Sequence, residues 1–438
     1  MVTFRFHPRA HSAVLVSPLL LCIVALYVSS DYVAGDLDGY WTAATAKAAS
    51  ALIFIAPVTA ACAAWEAGRL RRARIGEGTP ARSGWQIAAV SLTPVVLMGF
   101  CALAMALAVA RLHMESASGW PDGRIIGASC VVVCAHTVVG YAVGLRLPAV
   151  AAVPVVLVGD YLWNVYPPAL EPLWLRHLTQ PASGCCLSTV AVDLRGVAAP
   201  ALVAVGLAAL ATAAAALSRR TPRLGHLPTS APYLAGALAA IVAFTTTSVG
   251  VSLVNGLGPD AVQARPTADL VCTKINRTRT CVWPEHASRL PEAAQTVSEA
   301  VERLRSVGVT PPEVVTESTQ HPGKRQWTVT VRQDVDFTSQ DIVAGLASDL
   351  TVNLTSTGHE DNATVCSEEP VTAVQEALDA EEELHIWLSV HAGMPQRNFG
   401  LNSDPRTWKP VEDVLKTSPG SQEAWYHSTL SRAWCMPR

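Results

Sequence analysis

Long apolar runs alternate with short polar loops as far as Asn255, and the pattern stops there. A helix needs about 20 apolar residues to cross the hydrocarbon of a bilayer. Seven stretches come close to or exceed that length: residues 12–29, 48–67, 86–110, 125–144, 148–165, 197–217 and 232–254. The fourth and fifth are joined tightly at 145–147, so they form two crossings or one re-entrant hairpin. The first is followed by further spans and closes on no convincing small-residue cleavage site, which argues against a removed signal peptide. The pattern predicts an α-helical polytopic membrane bundle of about seven transmembrane helices over residues 1–254. A smaller α+β extracytoplasmic domain is expected over residues 255–438.

In that second part the periods shorten. Residues 271–283 contain strand-like pieces around Cys272 and Cys281. Over 290–307, Ala293, Val297, Ala300, Val301 and Leu304 recur at helical spacing, and Gly308 stops the run. Residues 326–332 alternate as a strand with Trp327, Val329 and Val331 on one face. Helices are expected over 339–350, capped by Ser339, over 371–390, and over 421–433 with Trp425 and Leu430 turned inward.

Charge sharpens the division. Residues 1–255 hold 16 Lys/Arg against 10 Asp/Glu, and residues 256–438 hold 16 against 25. The acidic tail argues against nucleic acid or anionic lipid as its partner. In the first part the arginines fall in alternate loops: Arg5 and Arg9 before the first span, Arg69, Arg71, Arg72, Arg74 and Arg82 after the second, Arg146 between the fourth and fifth, and Arg219, Arg220 and Arg223 after the sixth. Short loops rich in Lys and Arg stay in the cytoplasm. With seven spans, the N-terminus is then cytoplasmic and the C-terminal domain extracytoplasmic, although Arg111, Arg124, Arg176 and Arg195 count against the bias. The oxidising side suits the tail cysteines. Cys272 with Cys281, and Cys366 with Cys435, is the preferred pairing of the three that four cysteines allow. Cys185 and Cys186 pair with each other, pair with the tail, or stay free.

Ionisable groups inside spans are costly and therefore informative. Asp160 is either an interfacial residue beside Tyr161 and Trp163 or a point on a translocation path. Cys130, Cys134 and His136 invite a metal reading, but only two of them share a helix face, and no metal or other cofactor is expected. In the tail, Glu381 and His385 share a face that His391 does not join. No Gly-x-x-x-x-Gly-Lys-Ser/Thr loop, His-Glu-x-x-His or Gly-x-Ser-x-Gly occurs, so the chain is not expected to be an enzyme.

The loop after the second span reads EAGRLRRARIGEGTPARSG. Its arginines recur at helical spacing, so the span continues as a basic helix until Gly76, Gly78 and Pro80 end it. Here the chain resembles the permease subunits of type-2, drug-exporter-type ABC transporters, over roughly residues 12–217. The matching positions are Arg69, Arg71, Arg72, Arg74, Gly78, Thr79, Pro80 and Arg82. The resemblance implies a coupling segment docked on a separate cytoplasmic ATPase subunit, with two permease copies as a homodimer or pair. The seventh span and the large tail depart from the six-span family core. The segment from Cys272 to His286, with its CVWPEH string, and the closing AWYHSTLSRAWC resemble an external domain of unknown function in actinobacterial permease-like proteins. The rival expectation is a non-transporting membrane sensor, immunity or scaffold protein whose external domain binds a partner.

The orientation is testable. A single free cysteine engineered into the tail should react with an impermeant thiol reagent on intact cells. Reaction only after lysis would reverse the topology.

Overall fold

The computed structural model describes residues 11–30, 39–73, 84–114, 119–182, 185–186, 188–217, 231–320, 326–332, 336–362, 371–400 and 403–433. The chain divides into two compact units, Met1–Gln263 and Ala264–Arg438.

The first unit is helical: α1 (Ser12–Ser30), α2 (Trp41–Ser50), α3 (Leu52–Arg72), α4 (Gly84–Leu112), α5 (Gly123–Gly144), α6 (Ala149–Val165), α7 (Leu194–Leu217) and α8 (Ala231–Val254). Among the described residues six helices are long and apolar enough to cross a membrane, or seven if the pair α2 and α3, bent by 43°, is one span. That set is consistent with a multi-pass membrane protein. One expectation needs correction: the run 48–67 is not one straight helix. Ala51 N–H turns back to Ala48 O at 3.2 Å and closes α2, and α3 then runs on to Arg72. Pro57, lacking an N–H, removes a ladder bond in the early turns of α3. Hydropathy passes through the bend without change, so the apolar pattern could not register it.

Within this unit α3 is the common partner, packing against α1, α4, α5 and α6, while α7 packs against α5 and α8. The α3–α5 contact is made backbone to backbone. A Cβ placed on Gly140 would overlap the carbonyl of Ala60, and one on Gly144 would overlap that of Ala64. One turn further, a Cβ on Gly68 of α3 would lie 2.8 Å from the Cβ of Ala149, the first residue of α6. Small residues four apart on both helices let the backbones approach, which is how helices associate where burial from water offers no drive. Larger apolar side chains such as Leu15, Val150 and Phe244 point outward.

The second unit is mixed. Strands Val271–Ile275, Thr278–Val282, Val314–Thr316 and Gln326–Thr328 lie side by side in that order, the first pair antiparallel and the others parallel. Asn276, at φ 53°, takes the left-handed conformation in the two-residue turn between the first two strands, which Asn tolerates better than most residues. The amphipathic α9 (Leu290–Ser306) packs on this sheet and ends at Gly308, whose φ of 90° a side chain would resist. Helices α10 (Ser339–Asn362), α11 (Val371–Ala392), α12 (Arg397–Gly400), α13 (Pro405–Leu415) and α14 (Pro419–Ala433) complete the unit. Val297, Leu304, Val315, Trp327, Leu346 and Trp387 share its core.

Three tail expectations shift. Ser339 does not cap α10: the N–H and hydroxyl of Thr338 both donate to Asp341, and Ser339 donates to Glu292 instead. Val329 and Val331 are buried as the alternation suggests, but the strand ladder ends at Thr328. Helix α13 adds an element to those expected, and it carries two prolines, Pro405 and Pro410. Pro405 sits in the first turn, where its missing N–H costs nothing, and Asp404 caps the helix through Arg406 N–H.

Gly140→Leu should lower resistance to thermal unfolding in detergent by the equivalent of about 2–3 kcal/mol, because backbone cannot move aside. Gly127→Ala, on the same helix with open space around it, should cost nothing measurable.

Candidate functional site

The tight α5–α6 turn sets residues equidistant from Pro148 at the same depth. His136 and Asp160 are such a pair. Each lies more than two helical turns from the connection, about 12–16 Å at the helical rise. His136 Nδ1 meets Asp160 Oδ1 at 2.5 Å. Asn164, one turn along α6, donates from Nδ2 to the Asp160 backbone carbonyl at 2.8 Å. His136 and Asn164 are buried, and the Asp160 side chain is 11% exposed. Asp160 Oδ2 and Asn164 Oδ1 are buried without a hydrogen-bond partner. A buried acid–base pair with two open acceptors can hold an extra donor. Asp160 thus packs inward against α5, where it meets His136, a partner that neither reading of it names.

Cys130 and Cys134 point elsewhere, into an open apolar groove of about 490 Å³ between α5 and α7 that Val205 and Ala208 also line. They do not converge with His136. Among the described residues, no group of three or more His, Cys, Asp and Glu could hold a metal ion.

A second polar cluster closes the far end of α3. Glu66, buried, accepts from Ser12 N–H at 2.9 Å and from Arg69 at 3.0 Å, with His11 Nδ1 3.9 Å away. Arg71 donates to the Arg146 carbonyl at 3.1 Å, and the Arg72 guanidinium lies 5.6 Å from the centre of the Trp65 ring. Arg69, Arg71 and Arg72 thus stand on α3 itself, the last two exposed. Arg74, Gly78, Thr79, Pro80 and Arg82 lie outside the described residues.

In the second unit the CVWPEH string is packed into a buried network. Arg265 grips Glu285 with two nitrogens, at 2.5 and 3.0 Å, and lies 4.2 Å over the Trp283 ring. Glu317 accepts from Trp283 N–H at 2.6 Å, from Val331 N–H at 3.0 Å and from His286 Nδ1 at 2.7 Å. A carboxylate with three donors is satisfied, and it ties the sheet to the turn before α9. His385 and His391 are held below the ordinary histidine range, chiefly by burial, with His391 bonded to Gln422 at 2.7 Å. Cys272 and Cys281 are joined across the first two strands at 2.09 Å. The sulfurs of Cys185 and Cys186 are joined to each other. Cys366 and Cys435 lie outside the described residues.

A family profile described as a domain of unknown function, DUF7224, matches residues 280–433. It falls within the second unit and leaves the helical unit unmatched. No curated protein and no solved structure matches the chain.

Asp160→Ala should destabilise the helical unit by about 3 kcal/mol, because it leaves a buried imidazole without its partner. The double replacement His136→Leu with Asp160→Leu should cost less than that. Denaturation in mixed detergent reads both. Costs that simply add would show that the pair is not coupled.

Proposed function

We propose that the chain is a permease-like subunit of an ABC transporter, embedded in the cell membrane and driven by a separate cytoplasmic ATPase. The observation that carries this reading is α3. It runs unbroken from a buried packing centre to the exposed Arg71 and Arg72. At that end Glu66 ties it to the start of α1, and Arg71 ties it to the turn between α5 and α6. A push on the basic end therefore reaches three other helices through direct bonds. Nucleotide-driven motion enters there, and the spans shift around the His136–Asp160 pair, which lies on the path of a hydrophobic or amphipathic cargo. Two copies, or a paired permease, share the ATPase. The arginine-rich loops hold this end in the cytoplasm, and residues from Asn255 onward lie outside, where the Cys272–Cys281 bridge persists.

A second reading has its own support: the family match is confined to the second unit. In it the helices anchor a sensor or scaffold whose outer domain binds a partner, and no ATPase is needed.

Affinity purification of the full chain from its native membrane decides between them. An ABC-class ATPase should co-purify, and Arg71→Glu with Arg72→Glu should weaken its retention at least tenfold, about 1.4 kcal/mol. Purification without an ATPase, or retention unchanged in the variant, would overturn the transport reading.

A further inference from the structure

The segment that leaves α8 is strapped down by three bonds from one loop region. His177 Nε2 donates to the Gly258 carbonyl at 2.8 Å, Arg176 to the Pro259 carbonyl at 3.3 Å, and Asp193 N–H to the Ala261 carbonyl at 2.9 Å. Arg176 also reaches back to Pro168 O at 3.2 Å, bracing its own loop. His177 is fully buried. A carbonyl can only accept, so Nε2 carries the ring hydrogen. Nδ1 is then a bare acceptor, buried and without a partner. A proton arriving at Nδ1 would find no acceptor and would place a charge in a closed site.

We propose that His177 is an acid-released latch: protonation of its ring detaches the 258–261 segment from the loop between α6 and α7. The charged groups around it are few. Arg176, its neighbour in sequence, opposes a second positive charge. Asp260 on the strapped segment and Asp193 before α7 favour one, but Asp193 is committed to Arg195 at 2.7 Å. The described side chains of α8 from Leu234 onward bring no charged residue to the contact.

The direction follows from linkage. Burial first, and Arg176 in addition, hold the latched His177 below the ordinary histidine range. Once released into water, the ring returns to an ordinary value of about 6.5. The released state therefore binds more protons in that window. Latch stability is complete above about pH 6.5 and falls as pH drops toward the latched value. This inference does not rest on the transport reading, since it concerns a contact inside the helical unit alone.

Hydrogen exchange of the full chain in lipid nanodiscs tests it, with rates corrected for the intrinsic effect of pH. The Asp193 amide reports the latch, because its bond to Ala261 breaks on release. Lowering pH from about 7.5 to about 5.5 should reduce its protection roughly tenfold. His177→Gln keeps a donor for Gly258 but cannot take a proton, so its protection should not change with pH. Asp260→Asn removes a charge that favours the latched imidazolium and so lowers the latched value alone; loss should begin at the same pH but continue to lower pH before it levels off. Constant protection in the natural protein, or the same acid loss in His177→Gln, would overturn the proposal. If His177→Gln fails to fold, Asp260→Asn decides alone: a loss that levels off at the same pH as in the natural protein, or at a higher one, overturns it.

Discussion

The helical unit depends on one close approach. Helices α3 and α5 touch through their backbones, because Gly140 and Gly144 face Ala60 and Ala64 with no side chain between them. The return of α6 and the polar contacts it makes follow from that approach. With α3 and α5 fixed, the short 145–148 connection leaves α6 little choice but to return beside them, and Gly68 accepts Ala149 at its start. That return brings Asp160 to His136. It also sets the basic end of α3 beside the carbonyl of Arg146. Dispersion at close range, and not removal of apolar surface from water, is what holds such a contact in lipid.

The same geometry explains why two costly polar clusters persist. A carboxylate in an apolar bundle is tolerated only with partners. Asp160 has His136 and Asn164 on two helices, and Glu66 has Ser12 and Arg69 on two. Each cluster ties its helices together in a way that apolar packing does not specify. Glu66 sits where α3 leaves the bundle, and Asp160 sits where α5 and α6 are already committed. One ties the exposed end of α3 to α1, and the other ties α5 to α6.

Much of this was legible in the chain and some was not. The apolar runs located every membrane-length helix, because length and hydropathy are properties of a segment by itself. The bend at Ala51 escaped, since apolar character continues straight through it. Cys130, Cys134 and His136 looked like neighbours in sequence, yet α5 sends the cysteines toward α7 and the histidine toward α6. The partner of Asp160 could have been found by counting outward from Pro148, the one signal that a tight antiparallel turn leaves in the sequence. The His177 latch could not: its acceptor at Gly258 is a backbone carbonyl 81 residues away, and backbone groups carry no sequence signature. In the second unit the helix periods and the first two cysteines were plain, while Glu317, which organises the CVWPEH segment from a different strand region, had nothing to distinguish it.

The central claim is that α3 carries motion from its basic end into the spans. Spin labels on Ala73→Cys, exposed beside the arginines, and Leu147→Cys, in a background lacking the other free thiols, would report the distance between the end of α3 and the α5–α6 turn. The measurement is made by pulsed electron resonance in nanodiscs, on the chain with its co-purified ATPase, with and without nucleotide. The account predicts that this distance stays fixed, because Arg71 and the Gly68–Ala149 contact lock the two together. A third label on Leu234→Cys of α8, which neither the Glu66 nor the Arg71 bond reaches, should then change its distance to both together. Independent movement of the Ala73 label, or no movement of any of the three on nucleotide binding, would contradict it.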